Sequence, residues 1–278
     1  MSKVFHAELW GTRRAKYDAL NAVDIENTQW QEIKPQGLFY LFKPQNIEML
    51  DEYQKGWKIT DTIPANTVGV VTRQDAKTIA FSPEAAEELA NGHGLDRNVI
   101  RPILYRPFDD RFIVYDGSVV TRPRLQVMRH MLEGDNLALI SARSNKSPSA
   151  DHFFCGKTIM ETKCGERTTQ SALFPVYLYS DPSHPAGRID EYWPAGKGGR
   201  RPNLNPDFVK EMEEKLGLKF VSDGTGDLKK TFGPEDVFHC MYAVFHSPTY
   251  RNRYAEFLKI DFPRLPQSSP KSFTSEVS

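Results

Sequence analysis

The stretch GPEDVFHCMYAVFHSPTYRNRYAEFLKIDFPRLP, residues 233–266, leaves the chain few options. Pro234 follows a glycine and precedes two acids, the order expected where a helix begins. Pro248, behind Ser247, restarts a second helix. On that helix Tyr250, Tyr254, Phe257 and Leu258 recur at i, i+4, i+7 and i+8, which places all four on one face. Such a face has to be covered, so the segment predicts a helical layer pressed onto a core. Arg251 and Arg253 fall off the stripe, where they can reach an acid such as Glu256 or a phosphate; structural pairing is the preferred reading. Asp261 and Arg264 are expected to brace the turn out of the helix.

A layer of that kind needs a core beneath it. With 39% hydrophobic residues, 17 Phe, 11 Tyr and 4 Trp in 278 positions, the chain can build one large domain or two modest ones. VFHAELW, GLFYLFKP and TVGVVT read as strands, and 13–23 and 46–55 as helices. SPEAAEELA opens a helix on a serine cap, and NGHG stops it. IRPILYRPFDDRFIVYDG gives two extended segments about a Pro-Phe-Asp-Asp turn. TRPRLQVMRHMLEG then predicts a helix starting near Pro123, with Leu125, Met128, Met131 and Leu132 inward. NLALISAR, HFFCGKTI and ALFPVYLYS are further strands, 181–205 a long Gly/Pro/Arg-rich loop and 206–217 an amphipathic helix. Helices and strands alternate without a βαβ rhythm. The expected fold is mixed α/β (α+β): a largely antiparallel sheet with packed helices, the C-terminal ones rich in aromatic rings.

Several function classes drop out. No run of eighteen apolar residues exists, so no membrane span is expected. The opening MSKVFHAELWGTRRAKY lacks the apolar block of a secretory signal, and the expected location is the cytoplasm. Cys155, Cys164 and Cys240 show neither a C-x-x-C pair nor a zinc spacing and are expected to be ordinary thiols. G-x-G-x-x-G, P-loop, HExxH and G-x-S-x-G motifs are absent. His239 and His246, seven apart among aromatics, read as packing residues. Asp207, Glu213 and Lys215 superficially suggest a metal-dependent nuclease, but all three fall on one helix rather than on strands around a metal.

Charge is more informative in its distribution than in its sum, which is zero. Residues 97–146 carry 9 bases against 5 acids, a local excess suited to an anionic partner. On the expected helix after Pro123, the apolar face leaves Arg122, Gln126 and Arg129 aligned at i, i+4 and i+7, beside Arg124. Arginine pairs bidentately with guanine and glutamine with adenine, so this face carries the side chains of a DNA reader. A solvated helix face fits the same spacing. Arg143, Asn145 and Lys146 in the next loop, and Arg188, Lys197, Arg200 and Arg201 in the long one, add donors suited to phosphate.

Longer blocks are more specific. YRPFDDRFIVYDG, RPRLQVMRHML, FPVYLY and the terminal FGPEDVFHCMYAVFHSPTYRNRYAEFLKIDFPRLP resemble the C-terminal specificity region of type ISP restriction–modification enzymes. FHAELWGTRRAKYDAL, YLFKPQN and VGVVTRQD resemble the stretch joining that region to an N6-adenine methyltransferase domain. The resemblance runs to about Pro266. It implies that residues 1–75 are a methyltransferase remnant and connector and 76–266 a DNA target-recognition domain; beyond it, the low complexity of 267–278 reads as a disordered tail. The partners it implies are double-stranded DNA and a methyltransferase/nuclease core, in the same or a separate polypeptide.

The methyltransferase motifs F-x-G-x-G and N-P-P-Y and the ATPase motifs are missing, and Asn205-Pro206-Asp207 is no substitute. No cofactor is therefore expected in this chain; S-adenosylmethionine, ATP and Mg would belong to partner domains. The leading expectation is sequence-specific DNA recognition that directs adenine methylation and cleavage by those domains. The alternatives are an active methyltransferase or nuclease fragment, and a docking remnant that binds no DNA.

Overall fold

Among the described residues, side chains of Thr12, Ser82, Asn205 and Ser247 cap four helix starts. The computed structural model describes residues 3–35, 40–44, 47–146, 151–180 and 192–266. The chain divides into two units, Met1–Gln54 and Lys55–Ser278. In the first, β1 (Val4–His6) pairs antiparallel with β2 (Gln31–Ile33), and α1 (Arg13–Ala22) connects them. The Thr12 hydroxyl accepts from the Ala15 amide and satisfies one of the donors that a first helical turn leaves open. Helix α2 (Ile47–Gln54) completes the unit. The strand expected over 37–44 is not seen where it can be described: 37–39 lie outside the described residues, and 40–44 form a turn and bends. Tyr40, at φ 43°, breaks any extended run there.

The second unit begins with β3 (Trp57–Lys58), α3 (Ile59–Thr62), β4 (Thr67–Val68), α4 (Asp75–Thr78), β5 (Ile79–Ala80) and α5 (Pro83–Gly92). Helix α5 starts as expected: Ser82 accepts from the Ala85 amide, Pro83 follows and Glu84 faces the positive end of the helix dipole. The hairpin β6 (Ile100–Arg106) and β7 (Asp109–Val114) comes next, then the single turn α6 (Leu125–Met128). Strands β8 (Ala138–Ala142), β9 (Phe154–Gly156), β10 (Ile159–Met160), β11 (Ser171–Pro175), β12 (Tyr177–Tyr179) and β13 (Arg200–Pro202) follow. Helix α7 (Pro206–Leu216), the pair β14 (Lys219–Phe220) and β15 (Thr231–Phe232), helices α8 (Pro234–His246), α9 (Pro248–Arg253) and α10 (Ala255–Leu258), and β16 (Arg264–Leu265) end the described chain.

Two four-stranded sheets, ordered β10-β6-β7-β5 and β4-β11-β8-β9, form the centre. Among the described residues only the strand pairs β10–β6 and β14–β15 are parallel, so the mixed, largely antiparallel fold is as expected. The stretch after β4 stitches the sheets together. Gly69 donates to the Ser171 carbonyl, while Val70 exchanges bonds with Met160 and Thr162. A Cβ on Gly69 would lie 2.5 Å from the Glu161 backbone, so only glycine permits this approach. Ile103 and Ile113 from one sheet and Ile140 and Leu173 from the other share one core cluster with Met128 and Met131. Full burial of each such side chain is worth roughly 1.5–3 kcal/mol.

One expected helix is corrected. The run after Pro123 is a single α-turn followed by a 3-10 turn, Arg129–Met131. Arg124 sits in the left-handed region at φ 59°, which stops the helix from extending back to Pro123. Arg122 is instead bridged to Val71 in extended backbone. Met128 and Met131 are buried as expected, but Leu125 is exposed. The C-terminal layer follows expectation: Tyr250, Tyr254, Phe257 and Leu258 are all buried. Residues 55–75 are tied into the second unit, since β3 pairs with β16 and β4 with β11. The tail 267–278 lies outside the described residues.

Candidate nucleic-acid interface

The first group of cations lies where two extended segments run side by side. Val71 and Arg122 exchange backbone hydrogen bonds, 3.1 and 3.0 Å, and the Thr121 hydroxyl donates to the Thr72 carbonyl. Arg73 and Arg122 project from these segments and are exposed. Arg124 is half-buried, and its Nε has no hydrogen-bond partner. Gln126 is exposed; Arg129 pairs with Glu133 at 3.1 Å. Because Arg122 is off the helix, Arg122, Gln126 and Arg129 do not form the i, i+4, i+7 face. They remain near one another in sequence around a strand–turn junction. Nothing in TVGVVTRQD shows that Arg73 runs beside Arg122, so the sequence does not mark it as a site residue.

A second group stands where β8 leaves its sheet. Asp261 is shared by two cations, with Lys58 Nζ at 2.7 Å and Arg143 Nε at 3.4 Å. One carboxylate between two bases leaves a net positive charge, and the Arg143 side chain is largely exposed. Lys146 is exposed, whereas Asn145 is buried. The Asn145 amide donates to the Lys259 carbonyl, and its Nδ2 donates to His152 Nδ1 at 2.9 Å. Asn145 is therefore a framework residue that holds the loop carrying Lys146. Burial is the main cause that pushes His152 down to about 4, so the ring is neutral.

The long loop contributes bracing. Arg200 lies 3.9 Å above the Tyr177 ring, bonds to Asp223 at 2.7 Å and stands 3.5 Å from Glu235. Burial acts to raise the Asp223 carboxyl, but the Lys197 amide and the Arg200 guanidinium together hold it below its ordinary range. Arg200 is thus engaged internally, with little of its side chain exposed. Arg201 is half-buried on β13, opposite Leu178, and Lys197 is exposed. Arg188 lies outside the described residues.

The β6–β7 hairpin carries a further group that the sequence did not single out. The Tyr105 ring is held between the guanidinium groups of Arg106 and Arg111, each 4.0 Å from its centroid. Arg111 also lies 4.2 Å from Phe81 and makes a two-pronged bond to Asp109, 2.9 and 2.8 Å. Arg106 bonds to Glu161 at 2.6 Å, and the Tyr105 hydroxyl donates to Asp75 at 2.8 Å. The bond from Arg111 is the main cause that holds the Asp109 carboxyl low. Burial raises Glu161 despite Arg106 beside it. Among the described residues no group of His, Cys, Asp and Glu could hold a metal ion, and no helix is long and apolar enough to cross a membrane.

What this arrangement offers chemically is exposed positive charge suited to an anion. A protein-family model, the Type ISP C-terminal specificity domain, matches residues 41–277. Three solved structures share the fold. The first is a DrdV–DNA complex, 18% identical over 95% of this chain with a TM-score of 0.67. The second is a nuclease-deletion mutant of the Type ISP restriction–modification enzyme LlaGI with a DNA substrate mimic, 16% identical over 99% with a TM-score of 0.62. The third is the ATP-dependent Type ISP enzyme LlaBIII bound to DNA, 16% identical over 89% with a TM-score of 0.57. This chain spans 28%, 27% and 17% of the length of those proteins, respectively. No curated protein matches it.

Proposed function

The chain belongs to the family of Type ISP C-terminal specificity domains, and we propose that it reads a target sequence in double-stranded DNA for a restriction–modification enzyme. The family match over residues 41–277 carries this reading. The exposed cations support it: Arg73, Arg122, Lys146 and Lys197 have the chemistry to grip phosphates and set register. Gln126 and the arginines around it have the chemistry to read base edges. A specificity domain is not catalytic on its own. Adenine methylation and DNA cleavage, with S-adenosylmethionine, ATP and Mg, would fall to partner domains, which fits the missing motifs.

The test is a titration of the purified chain on random-sequence duplex DNA at two salt concentrations. Each phosphate contact contributes about 0.9 to the slope of log K against log salt. Binding at low salt that weakens along such a slope is expected, and Lys146→Ala should flatten it by about one contact. Absence of binding at low salt, or binding indifferent to salt, would overturn the reading.

A second reading concerns the first unit and is favoured by its exposed apolar side chains. Trp10, Tyr17, Leu20 and Ile25 face solvent, and α1 buries none of its residues. We propose that this surface docks against the methyltransferase/nuclease core, whether that core precedes it in one polypeptide or is a separate one. Residues 1–75 would then be the connector to the methyltransferase. Co-expression with the core should raise the soluble yield of this chain; an unchanged yield and no co-purification would count against docking.

A further inference from the structure

One side chain breaks two local rules at once. Arg106 and Asp109 face each other across the β6–β7 ladder, so the connection is the two-residue turn Pro107-Phe108. Proline suits the first position of such a turn. The second takes a positive φ, which glycine tolerates and a bulky residue does not. The chain places Phe108 there, at φ 63°. The ring is also 94% exposed, so no burial offsets the strained backbone. A strained, exposed aromatic contributes nothing to this fold that glycine would not supply better, and that points to a contact outside the chain.

The mounting beneath the ring is stiff. Tyr105 is clamped between Arg106 and Arg111, and those guanidinium groups are in turn held by Glu161 and Asp109. One ion pair closes within the hairpin, Arg111 with Asp109, and the other ties it to Glu161 just past β10. The tip therefore offers an apolar ring rather than a free cation, with Asp110 as a neighbouring exposed charge. We propose that Phe108 is an apolar wedge pressed against the base pairs of duplex DNA. This rests on the DNA-reading function above and names a contact within it.

Two features favour DNA over a protein partner. A protein groove that accepted the ring would need an apolar rim around it. Along the chain the ring stands between Arg106-Pro107 and Asp109-Asp110, so charged residues outnumber apolar ones beside it. A base pair presents a flat π face that a single ring can meet, and apolar side chains inserted at base steps are an established way of gripping a duplex.

The test compares the wild-type chain with Phe108→Gly and Phe108→Trp on duplexes that the wild type enriches from a random pool. Phe108→Gly is expected to bind about tenfold or more weakly, the loss typical of one stacking contact. Its salt slope should be unchanged, because no phosphate contact is removed. Its melting temperature should equal or exceed that of the wild type, because glycine relieves the backbone. Phe108→Trp should retain binding.

Wild-type affinity in Phe108→Gly would overturn the wedge while leaving DNA reading intact. So would a reduced salt slope, or a lowered melting temperature, which would make the ring a structural part. If the wild type enriches no duplex, the DNA-reading function itself falls, and the wedge with it. If Phe108→Gly keeps DNA binding but loses co-purification with the core, the tip docks protein and the wedge is wrong.

Discussion

The two ends of this chain hold similar side chains and put them to opposite use. In the first unit Trp10 and Ile25 are 80% and 81% exposed, and α1 buries nothing. Among the described residues there, Ile33 and Tyr53 are the buried apolar side chains. At the other end the rings interlock: Phe153 stacks on Phe245 at 5.3 Å, Phe245 meets Tyr250 at 5.7 Å, and Tyr250 meets Tyr254 at 5.2 Å. The Tyr250 hydroxyl donates to the Arg264 carbonyl at 2.7 Å, which satisfies that polar atom inside the stack. Periodicity says that a face must be covered. It does not say whether the cover lies in the same chain. The sharpest way to expose this difference is to truncate a ring at each end and compare the cost.

The largest effect is expected from Phe245→Ala. Phe245 is fully buried on α8 between Phe153 and Tyr250, and the neighbours have little room to collapse into the space. The loss should be about 3–5 kcal/mol, read as a lower urea midpoint. A loss under about 1 kcal/mol would mean that the C-terminal rings are no better packed than those of the first unit.

The next effect depends on pH and belongs to the same stack. His152 lies 4.5 Å from the Phe153 ring. Burial lowers it first of all; Asp151 and Glu166 act to raise it, and Arg251 adds to the lowering. The folded value is about 4 against an ordinary 6.5. Between those values the unfolded chain binds a proton that the fold does not, so stability rises with pH across that window. The contribution is complete above about 6.5 and is lost as pH falls toward 4, a span worth about 3 kcal/mol. His152→Gln keeps an acceptor for Asn145 and should remove most of that slope in unfolding measured from pH 7 to 4. An unchanged slope would assign it to other groups.

The same contrast explains what could be read from sequence. The α8–α9 boundary was legible because Gly233, Pro234, Ser247 and Pro248 act on the few residues around them. The β6–β7 hairpin was legible from its Pro-Phe-Asp-Asp turn. The helix after Pro123 was not, because the left-handed Arg124 follows from Arg122 being captured by Val71, some fifty positions earlier in the chain. Arg200 looked like a phosphate donor for the same reason: its ring, Tyr177, and its acids, Asp223 and Glu235, are remote in sequence. Arg73 and Phe108 were invisible as site residues because their signals are a spatial neighbour and a backbone angle. Local chemistry was readable, whereas pairings across the fold were not.

The smallest effect on stability separates a face that is covered from within from one that is not. Trp10→Ser and Ile25→Ser replace two of the most exposed apolar side chains in the first unit. A side chain already in water gives up little transfer free energy when it is shortened, so each should change unfolding by less than about 0.5 kcal/mol. Trp10 bonds to Glu8 through its indole N–H, but that pair is exposed and weak. A docking surface behaves differently from a merely tolerated one in a second measurement. If the face is an interface, the double variant should be more soluble alone and should fail to co-purify with the core, because the rings at the centre of an interface carry most of its affinity. A loss of 2 kcal/mol or more in the isolated chain would instead mean that these side chains pack within the fold. The contrast between the two ends would then be false.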